Sequence, residues 1–274
     1  MTDWTLHHGD CLDPVTGLAS LADDSVDVVL TDPPYDEHTH KCGRRGHTGA
    51  VKFKNRGARD AGRATAAFNR QRDLGFDALK HEHMEELAFH FARVSRRWSI
   101  AFCTLEMVGD AAANGGRGWR AALERAGLQY IRTCVWHKLG STPQFTGDRP
   151  AQAVEAIVIA HRPGRKRWNG GGKHGYYAHP IVLNRGGESE RMHTTQKPLE
   201  LMADLVTDFT DPSDLVLDPF AGSGTTGVAA LQLGRRFIGW ERDENYHAIA
   251  TRRLSGDRAI LQPAQPELFG SGSL

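Results

Sequence analysis

The chain has 274 residues, 39% of them apolar and 24% charged, as expected for a folded globular protein with a substantial core. No apolar stretch is long enough to cross a membrane, and the first residues lack the basic-then-apolar pattern of a secretory signal. The four cysteines are far apart, which excludes a zinc ribbon and a disulfide framework. We therefore expect a cytoplasmic protein with one large domain, or one domain carrying an insertion.

Charge is distributed unevenly along this chain. The totals of 34 Lys and Arg against 33 Asp and Glu give a net charge of +1. Residues 36–75 contain 10 basic and 4 acidic residues, and residues 161–197 contain 8 and 2, so the remainder carries −11. Two basic stretches on an acidic body indicate a polyanionic partner. Two solvated loops rich in Arg and Gly would have the same composition, and charge alone does not separate these interpretations.

The apolar pattern of the first half predicts alternating strands and helices. A β-branched run, Val26–Thr31, reads as a buried strand that ends at two prolines. The basic residues 36–75 follow without periodicity. The next predicted elements are a helix over 81–95, a strand over 98–104, a helix over 118–126 and strands over 130–137 and 153–160. The helix over 81–95 has an apolar face made of Met84, Leu87, Ala88, Phe91 and Val94.

The last third of the chain is more regular. Pro198 marks the start of a helix with an apolar face, because proline favours the first helical turn. A strand over 215–217, a glycine-rich turn and a helix to Leu233 follow. The final elements are a strand over 237–240, a helix over 243–254 and a short strand over 259–261. This alternation predicts an α/β fold with a largely parallel sheet.

The glycine-rich turn predicts a cofactor site. Residues 222–227 satisfy G-x-G-x-x-G directly after a strand, and Glu241 lies 19 residues beyond Gly222 at the end of the next strand. Glycines let the backbone approach a ligand, and a carboxylate accepts hydrogen bonds from ribose hydroxyls. The spacing indicates an adenosine-bearing cofactor without choosing between NAD and S-adenosylmethionine. A purely structural tight turn is the alternative.

A second loop, Asp32-Pro33-Pro34-Tyr35, follows the predicted strand Val26–Thr31. It should lie at the carboxyl end of that strand, where open α/β sheets bind ligands. The prolines stiffen the backbone and leave carbonyl acceptors, Asp32 adds another acceptor, and Tyr35 offers a flat face for stacking. This set suits an exocyclic amine on a planar ring. A rigid turn with a surface aromatic residue would look the same.

Together, these two loops resemble the catalytic and cofactor motifs of the DNA amino-methyltransferases. Their order resembles the β class, a circular permutation of the usual arrangement. Residues 193–198, His-Thr-Thr-Gln-Lys-Pro, look like the H-P-T-Q-K-P motif of the family, with Thr194 in place of proline. Residues 9–12, Gly-Asp-Cys-Leu, resemble a motif that reaches the adenine of the cofactor. The resemblance implies a Rossmann-like, doubly wound methyltransferase sheet with inserted basic loops.

The resemblance implies S-adenosylmethionine as the cofactor. Its expected binding residues are Asp10, Cys11, Thr195, Gln196, Lys197, Asp218, Phe220, Gly222, Ser223, Gly224, Thr225, Thr226 and Glu241. Within this set, Asp10 and Cys11 would contact the adenine, and Glu241 the ribose. The candidates for the methionine end are Thr195, Gln196, Lys197, Thr225 and Thr226.

The resemblance also implies methyl transfer to a base flipped out of double-stranded DNA. The catalytic residues would be Asp32, Pro33, Pro34 and Tyr35. Asp-Pro-Pro-Tyr favours adenine N6, whereas Ser-Pro-Pro-Tyr is commoner among cytosine N4 enzymes. Expected DNA contacts in the loop 36–75, which would grip DNA and extrude the base, are Arg44, Arg45, Lys52, Lys54, Arg56 and Arg59. Those in the target-recognition region 161–191 are Arg162, Arg165, Lys166, Arg167 and Lys173.

The remaining ranges complete the expected domain organisation. Residues 1–35, 76–160 and 192–262 would form the catalytic domain, and 263–274 a flexible tail. No metal site is predicted, because His38, His40, Cys42 and His47 match no standard zinc spacing. The β class often pairs, so the resemblance implies a homodimer. The recognition sequence and the existence of a partner endonuclease are left open.

Several alternative functions are compatible with parts of the pattern. The nearest keep the chemistry and change the substrate to cytosine N4 or to RNA. An NAD-dependent oxidoreductase would explain the glycine loop and Glu241, but neither Asp32-Pro33-Pro34-Tyr35 nor the basic stretches. A catalytically silent DNA-binding subunit would have no reason to keep Asp32, Tyr35 and both glycines.

Overall fold

The computed structural model describes residues 3–35, 79–141, 143, 148–182 and 196–256. Within them, eight strands form one sheet in the order β1-β8-β7-β2-β3-β5-β4-β6. The strands are β1 (Trp4–His8), β2 (Val26–Thr31), β3 (Ser95–Cys103), β4 (Gln129–Leu139), β5 (Val154–His161), β6 (Tyr176–Pro180), β7 (Leu215–Asp218) and β8 (Arg236–Glu241). Strand β5 is antiparallel to both neighbours, and the other described pairs are parallel. The predicted α/β fold with a largely parallel sheet is confirmed.

Six α-helices cover the two faces of this sheet. They are α1 (His81–Val94), α2 (Leu105–Val108), α3 (Trp119–Arg125), α4 (Leu199–Phe209), α5 (Thr225–Gln232) and α6 (Glu244–Leu254). One apolar cluster contains the buried faces of α1 and α3, and a second contains those of α4 and α5 together with Leu254 of α6. All five residues of the predicted apolar face of α1 are buried. The fold is therefore the three-layer arrangement that a doubly wound sheet requires.

Local signals explain most of the element boundaries. Helix α4 begins directly after Pro198, as predicted. Helix α6 is capped by Asp243, whose carboxylate accepts a hydrogen bond from the Tyr246 amide at 3.0 Å. Helix α3 ends just before Gly127, which has a φ of +92° and so takes the left-handed conformation that ends many helices.

The structure differs from the sequence-based expectation at two edge strands. Neither β1 nor β6 was predicted, because both are short and partly exposed and so lack a continuous apolar run. Strand β6 lies inside the range expected to form a target-recognition region, so part of that range belongs to the sheet. The strand expected over 259–261 lies outside the described residues.

The parallel strands give the sheet two distinct edges. Strands β1, β8, β7, β2 and β3 all end at one edge, called here the carboxyl edge, and β5 begins there because it is antiparallel. The opposite edge is called the amino edge. None of the helices in the described part of the chain is long and apolar enough to span a bilayer.

Candidate active site

The predicted site residues follow four neighbouring strands at the carboxyl edge. Asp10 comes after β1, Glu241 ends β8, Asp218 ends β7 and Asp32 comes after β2. These strands are adjacent in the order β1-β8-β7-β2, so the four carboxylates form a row along the edge. Three strand spacings give the row a length of about 14 Å. The topology thus brings together residues from both ends of the chain.

Asp218 organises the start of the glycine loop from inside the protein. Its side chain is 2% exposed and accepts hydrogen bonds from the Thr31 hydroxyl at 2.7 Å, the Thr226 hydroxyl at 2.6 Å and the Phe220 amide at 3.1 Å. Burial raises the pKa of Asp218 to about 6, although the bonds from Thr226 and Thr31 oppose the shift. Because its oxygens are used within the chain, Asp218 shapes the loop and ties β7 to β2.

The glycine loop itself has the open backbone that a close ligand requires. Gly222 and Gly224 have φ values of +54° and +80°, which favour glycine over other residues. One carboxylate oxygen of Glu241 accepts from the Gly222 amide and the other from the Asp243 amide, both at 2.7 Å. Burial raises the pKa of Glu241. Its carboxylate therefore lies at the loop, on the strand next to it.

A buried arginine that sequence reasoning did not single out supports the same loop from below. Arg253 of α6 is 6% exposed. One of its terminal nitrogens donates to the Ser223 carbonyl at 2.5 Å, to the Ser223 hydroxyl at 3.1 Å and to the Thr225 hydroxyl at 3.2 Å. Burial lowers the pKa of Arg253 to about 10. The Thr225 and Thr226 hydroxyls, expected at the methionine end of the cofactor, thus contact Arg253 and Asp218.

The N-terminal motif lies beside Glu241. The Gly9 amide donates to the backbone carbonyl of Glu241 at 3.0 Å, which places the following turn at the outer end of the row. The Asp10 carboxylate accepts from the Leu12 amide at 2.9 Å. Cys11 is buried, and its carbonyl accepts from the Leu18 amide at 2.7 Å. Burial raises the pKa of the Cys11 thiol, so this residue contributes backbone and packing rather than a reactive thiolate.

At the other end of the row, Asp32 presents one used and one unused oxygen. Its Oδ2 accepts from Lys197 Nζ at 2.5 Å. Its Oδ1 is buried and has no hydrogen-bond partner among the described residues. Burial raises the pKa of Asp32, and the charge of Lys197 offsets part of the shift. Pro33 is buried, and the ring of Tyr35 is half-buried beside this loop.

Lys197 belongs to a buried charge cluster behind the catalytic loop. Its ammonium lies 3.1 Å from Glu155 Oε2, and Glu155 Oε1 lies 2.5 Å from Lys138 Nζ. Lys197 is 6% exposed and Glu155 7% exposed. Burial alone would lower the pKa of Lys197, but Asp32 and Glu155 outweigh it and raise that pKa. The structure therefore places the ammonium of Lys197, expected at the methionine end of the cofactor, against Asp32.

Glu155 was missed at the sequence level, although a signal was present. It is the one acidic residue in the apolar run Val154–His161 of β5. A charged residue in a buried strand needs a partner, because burial of an unpaired charge is unfavourable. Gln196, also expected near the methionine end, is half-buried next to Lys197, and Thr195 lies outside the described residues.

The expected DNA contacts fall into two groups. Those of the loop 36–75 lie outside the described residues, as do His38, His40, Cys42 and His47. The chain on either side of that loop is held at the catalytic loop, since the Leu79 amide donates to the Tyr35 carbonyl at 3.1 Å. Tyr35 and Leu79, the described residues that flank 36–78, therefore both lie at the carboxyl edge.

The second basic group begins at the opposite edge of the sheet. The Arg162 amide donates to the Arg97 carbonyl at 2.9 Å, near the start of β3, and its side chain pairs with Asp24. The Arg167 side chain donates to Asp211 at 2.9 Å, before the start of β7. Five residue steps along a strand place this edge about 17 Å from Asp32. The structure does not bring Arg162, Arg165, Lys166 and Arg167 to the catalytic loop.

Lys173, the last member of this group, is also engaged within the protein. Its ammonium donates to both carboxylate oxygens of buried Asp208, at 3.1 and 3.0 Å. The Tyr177 hydroxyl donates to the same carboxylate at 2.9 Å. Lys173 thus neutralises a buried acid on α4, which is a structural role.

Comparison with known proteins identifies the family of this chain. A family model described as DNA methylase matches residues 26–252. YubD of Escherichia coli (strain K12) is 30% identical over 256 residues, covering 93% of this chain and 91% of that protein. The M1.HpyAVI–SAM complex has a TM-score of 0.62 at 23% identity, covering 92% of this chain and 98% of that one. PvuII DNA methyltransferase, named as cytosine-N4-specific, has a TM-score of 0.61 at 17% identity, covering 92% and 86%. The chain belongs to the DNA methylase family of N6 and N4 amino-methyltransferases.

Proposed function

We propose that this protein transfers a methyl group from S-adenosylmethionine to the N6 amine of an adenine flipped out of double-stranded DNA. One observation carries the proposal: the buried, unpartnered Oδ1 of Asp32 lies at the inner end of the row that begins with Asp10 and Glu241. An acceptor without a partner in a buried position indicates a missing donor. The two N–H groups of an exocyclic amine supply such donors.

The residues present fit S-adenosylmethionine. Its adenine would lie beside Asp10 and the Cys11 backbone, and its ribose hydroxyls beside Glu241. Phe220 and the loop from Gly222 to Gly224 would line the middle of the site. The bound cofactor supplies an electrophilic methyl group on a positively charged sulfur. The row therefore runs from an adenine-binding end to the acceptor that would hold the target amine.

The catalytic loop would position the amine for attack. Asp32 Oδ1 and the Pro33 carbonyl accept its two hydrogens, Pro34 stiffens the turn, and Tyr35 stacks on the base. Because burial raises the pKa of Asp32, its carboxylate binds an amine proton more strongly than an exposed carboxylate would. Hydrogen bonds to these acceptors turn the nitrogen lone pair away from the ring and towards the methyl group. No covalent intermediate with the protein is needed.

DNA would approach the carboxyl edge. We place the phosphate contacts in the basic loop 36–75, on Arg44, Arg45, Lys52, Lys54, Arg56 and Arg59, because the flanking residues Tyr35 and Leu79 lie at that edge. Flipping the base costs a few kcal/mol, about what several phosphate contacts provide. The cytoplasmic location and the homodimer stay predictions, and sedimentation of the purified protein tests the second.

The proposal is tested by methyl transfer from labelled S-adenosylmethionine to unmethylated genomic DNA, followed by nucleoside analysis. We expect N6-methyladenine. N4-methylcytosine, the product implied by the name of the PvuII enzyme, would refute the adenine assignment. An Asp32→Ala variant should bind the cofactor and DNA but transfer no methyl group, with Asp27→Ala on the same strand as the control. Transfer by the Asp32→Ala variant would contradict the role given to Asp32.

A further inference from the structure

The charge cluster behind Asp32 is more elaborate than a single ion pair. Positive and negative groups alternate along it: Lys138, Glu155, Lys197 and Asp32, joined by contacts of 2.5, 3.1 and 2.5 Å. We call these four residues the charge chain. Its two carboxylates and two ammonium groups sum to zero, so the charge chain is neutral, with Glu155 and Lys197 buried and Lys138 and Asp32 partly exposed. Four charges with mutual partners can be held away from water, whereas one alone could not.

The side chains come from four different parts of the fold. Lys138 lies near the end of β4, Glu155 near the start of β5, Lys197 before α4 and Asp32 after β2. Lys197 is further enclosed by aromatic rings, with its ammonium 5.0 Å from the ring centre of Phe102 and 5.8 Å from those of Tyr35 and Trp136. Such an enclosure fixes the ammonium in one place.

We propose that Lys197, held by Glu155 and Lys138, is a positioning residue that binds Asp32 Oδ2 and so leaves Oδ1 for the amine of the target base. The inference rests on the proposed function and deepens it. A carboxylate that is free to rotate would present either oxygen. With Oδ2 bound to a fixed ammonium, the carboxylate has one orientation. The unpaired Oδ1 then accepts a hydrogen bond from the amine of the target base. Lys197 is thereby assigned to the catalytic loop rather than to the cofactor.

The charge chain also controls the ionisation of Asp32. The titratable groups around it are Lys197, Glu155 and Lys138, together with Tyr35, Cys103 of β3 and Asp218 of β7. The charge of Lys197 lowers the pKa of Asp32, and the charge of Glu155 raises it. Removing the one charge or the other must therefore shift this pKa in opposite directions. A role in packing alone would produce no such pair of shifts.

The test compares three isosteric variants of the full-length protein: Lys197→Met, Glu155→Gln and the control Asp214→Asn. Asp214 also forms a partly buried ion pair, with Arg97, but lies at the amino edge. The readouts are the affinity for S-adenosylmethionine by calorimetry and the single-turnover rate of methyl transfer to unmethylated DNA as a function of pH. The double variant Lys197→Met/Glu155→Gln keeps the cluster neutral, so it folds even if the single lysine variant does not.

We expect Lys197→Met to bind the cofactor normally and to lose about 10²-fold in rate at neutral pH, with partial recovery at alkaline pH. The acid limb of its pH profile should move to higher pH, and that of Glu155→Gln to lower pH. The control should match the wild type. A loss of cofactor affinity in Lys197→Met with an unchanged pH profile would overturn the proposal and place Lys197 on the methionine end.

A measurement without catalysis separates this proposal from the proposed function. In Lys197→Met, Asp32 and Glu155 lose their common cation, so the already raised pKa of Asp32 rises further and the pKa of Glu155, which is lowered in the wild type, increases. A raised carboxyl pKa favours the protonated folded state, so stability should increase as pH falls from neutral and decrease again as it rises. Thermal unfolding against pH should show this trend in Lys197→Met more strongly than in the wild type. Equal trends in Lys197→Met and the wild type would overturn the role proposed for the charge chain. If the wild-type protein instead methylated cytosine, or methylated no DNA, only the proposed substrate would be overturned.

Discussion

Arg253 provides a quantitative test of how the glycine loop is held. One terminal nitrogen of its guanidinium, which carries two hydrogens, contacts the Ser223 carbonyl and the Ser223 and Thr225 hydroxyls, and hydrogen bonds from a charged donor contribute about 1.5–3 kcal/mol each. Burial works against them, because the pKa of Arg253 falls from 12.5 to about 10, which corresponds to roughly 3 kcal/mol. Two such bonds contribute about 3–6 kcal/mol, so the difference predicts that Arg253→Met lowers the free energy of unfolding by up to about 3 kcal/mol. In a chain of this size, that corresponds to a fall in Tm of up to about 5 °C.

The neighbouring residue supplies a matched control. Arg252 lies on the same helix and is exposed, so Arg252→Met should change the free energy of unfolding by no more than about 0.5 kcal/mol. Denaturant unfolding measures both variants, and calorimetry with S-adenosylmethionine measures the loop. We expect Arg253→Met to weaken cofactor binding about tenfold, the effect of about 1.4 kcal/mol, and Arg252→Met to leave it unchanged. If the two variants were equally stable and bound the cofactor equally well, the support given to Arg253 would be refuted.

Three further predictions concern the same edge of the sheet. The pKa of Asp218 is raised to about 6 in the folded protein, so its protonated form favours folding. The free energy of unfolding should therefore rise by up to about 3 kcal/mol as pH falls from neutral towards 3.8. Subtracting the stability-against-pH curve of Asp218→Asn from that of the wild type isolates this contribution. Replacing Arg44, Arg45, Lys52 and Lys54 by Ser should reduce the slope of log DNA affinity against log salt concentration by about 3–4. The same replacement of Arg165, Lys166 and Arg167 should leave this slope unchanged. The reverse result would place the DNA at the amino edge. An alanine in the left-handed conformation usually costs about 1–2 kcal/mol, and Gly224→Ala should destabilise the protein by more than this, because its Cβ would lie 3.0 Å from the Ala250 Cβ. At Gly115, with a φ of +71°, an added Cβ would meet nothing within 4 Å, so Gly115→Ala should show the conformational cost alone.

The elements that could be predicted from the sequence are those with local signals. Helix α1 follows from apolar residues at helical spacing, and α4 and α6 follow from Pro198 and Asp243 at their starts. Strand β2 follows from a β-branched run that ends at two prolines. Edge strands β1 and β6 carry weak signals, because part of each is exposed and, among the described residues, one side of each lacks a neighbouring strand. Their place in the sheet depends on pairing with β8 and β4.

The candidate site likewise contains features with local sequence signals and features that depend on the fold. The row of motif residues was predictable, since carboxyl ends of parallel strands share one edge. The partners of individual side chains were not, because a charge finds its partner through the fold: Lys197 and Asp32 are 165 residues apart in the sequence. The same applies to Arg253, which meets Ser223 from 30 residues away. Motif position alone thus predicted a cofactor contact for Lys197, whereas the structure pairs its ammonium with Asp32 and Glu155.

The strand order also explains how a permuted chain builds an ordinary site. Along the edge the order is β1-β8-β7-β2, so the first and last of the described strands are neighbours and His8 pairs with Glu241 in register. The Thr31 hydroxyl then bonds to Asp218 across the next pair of strands, 187 residues away in sequence. Both contacts join the N-terminal part of the chain to its last third. Since one part carries Asp32 and the other carries the glycine loop, neither presents the site until the two have docked. Formation of the site is therefore coupled to completion of the sheet, whichever motif comes first in the chain.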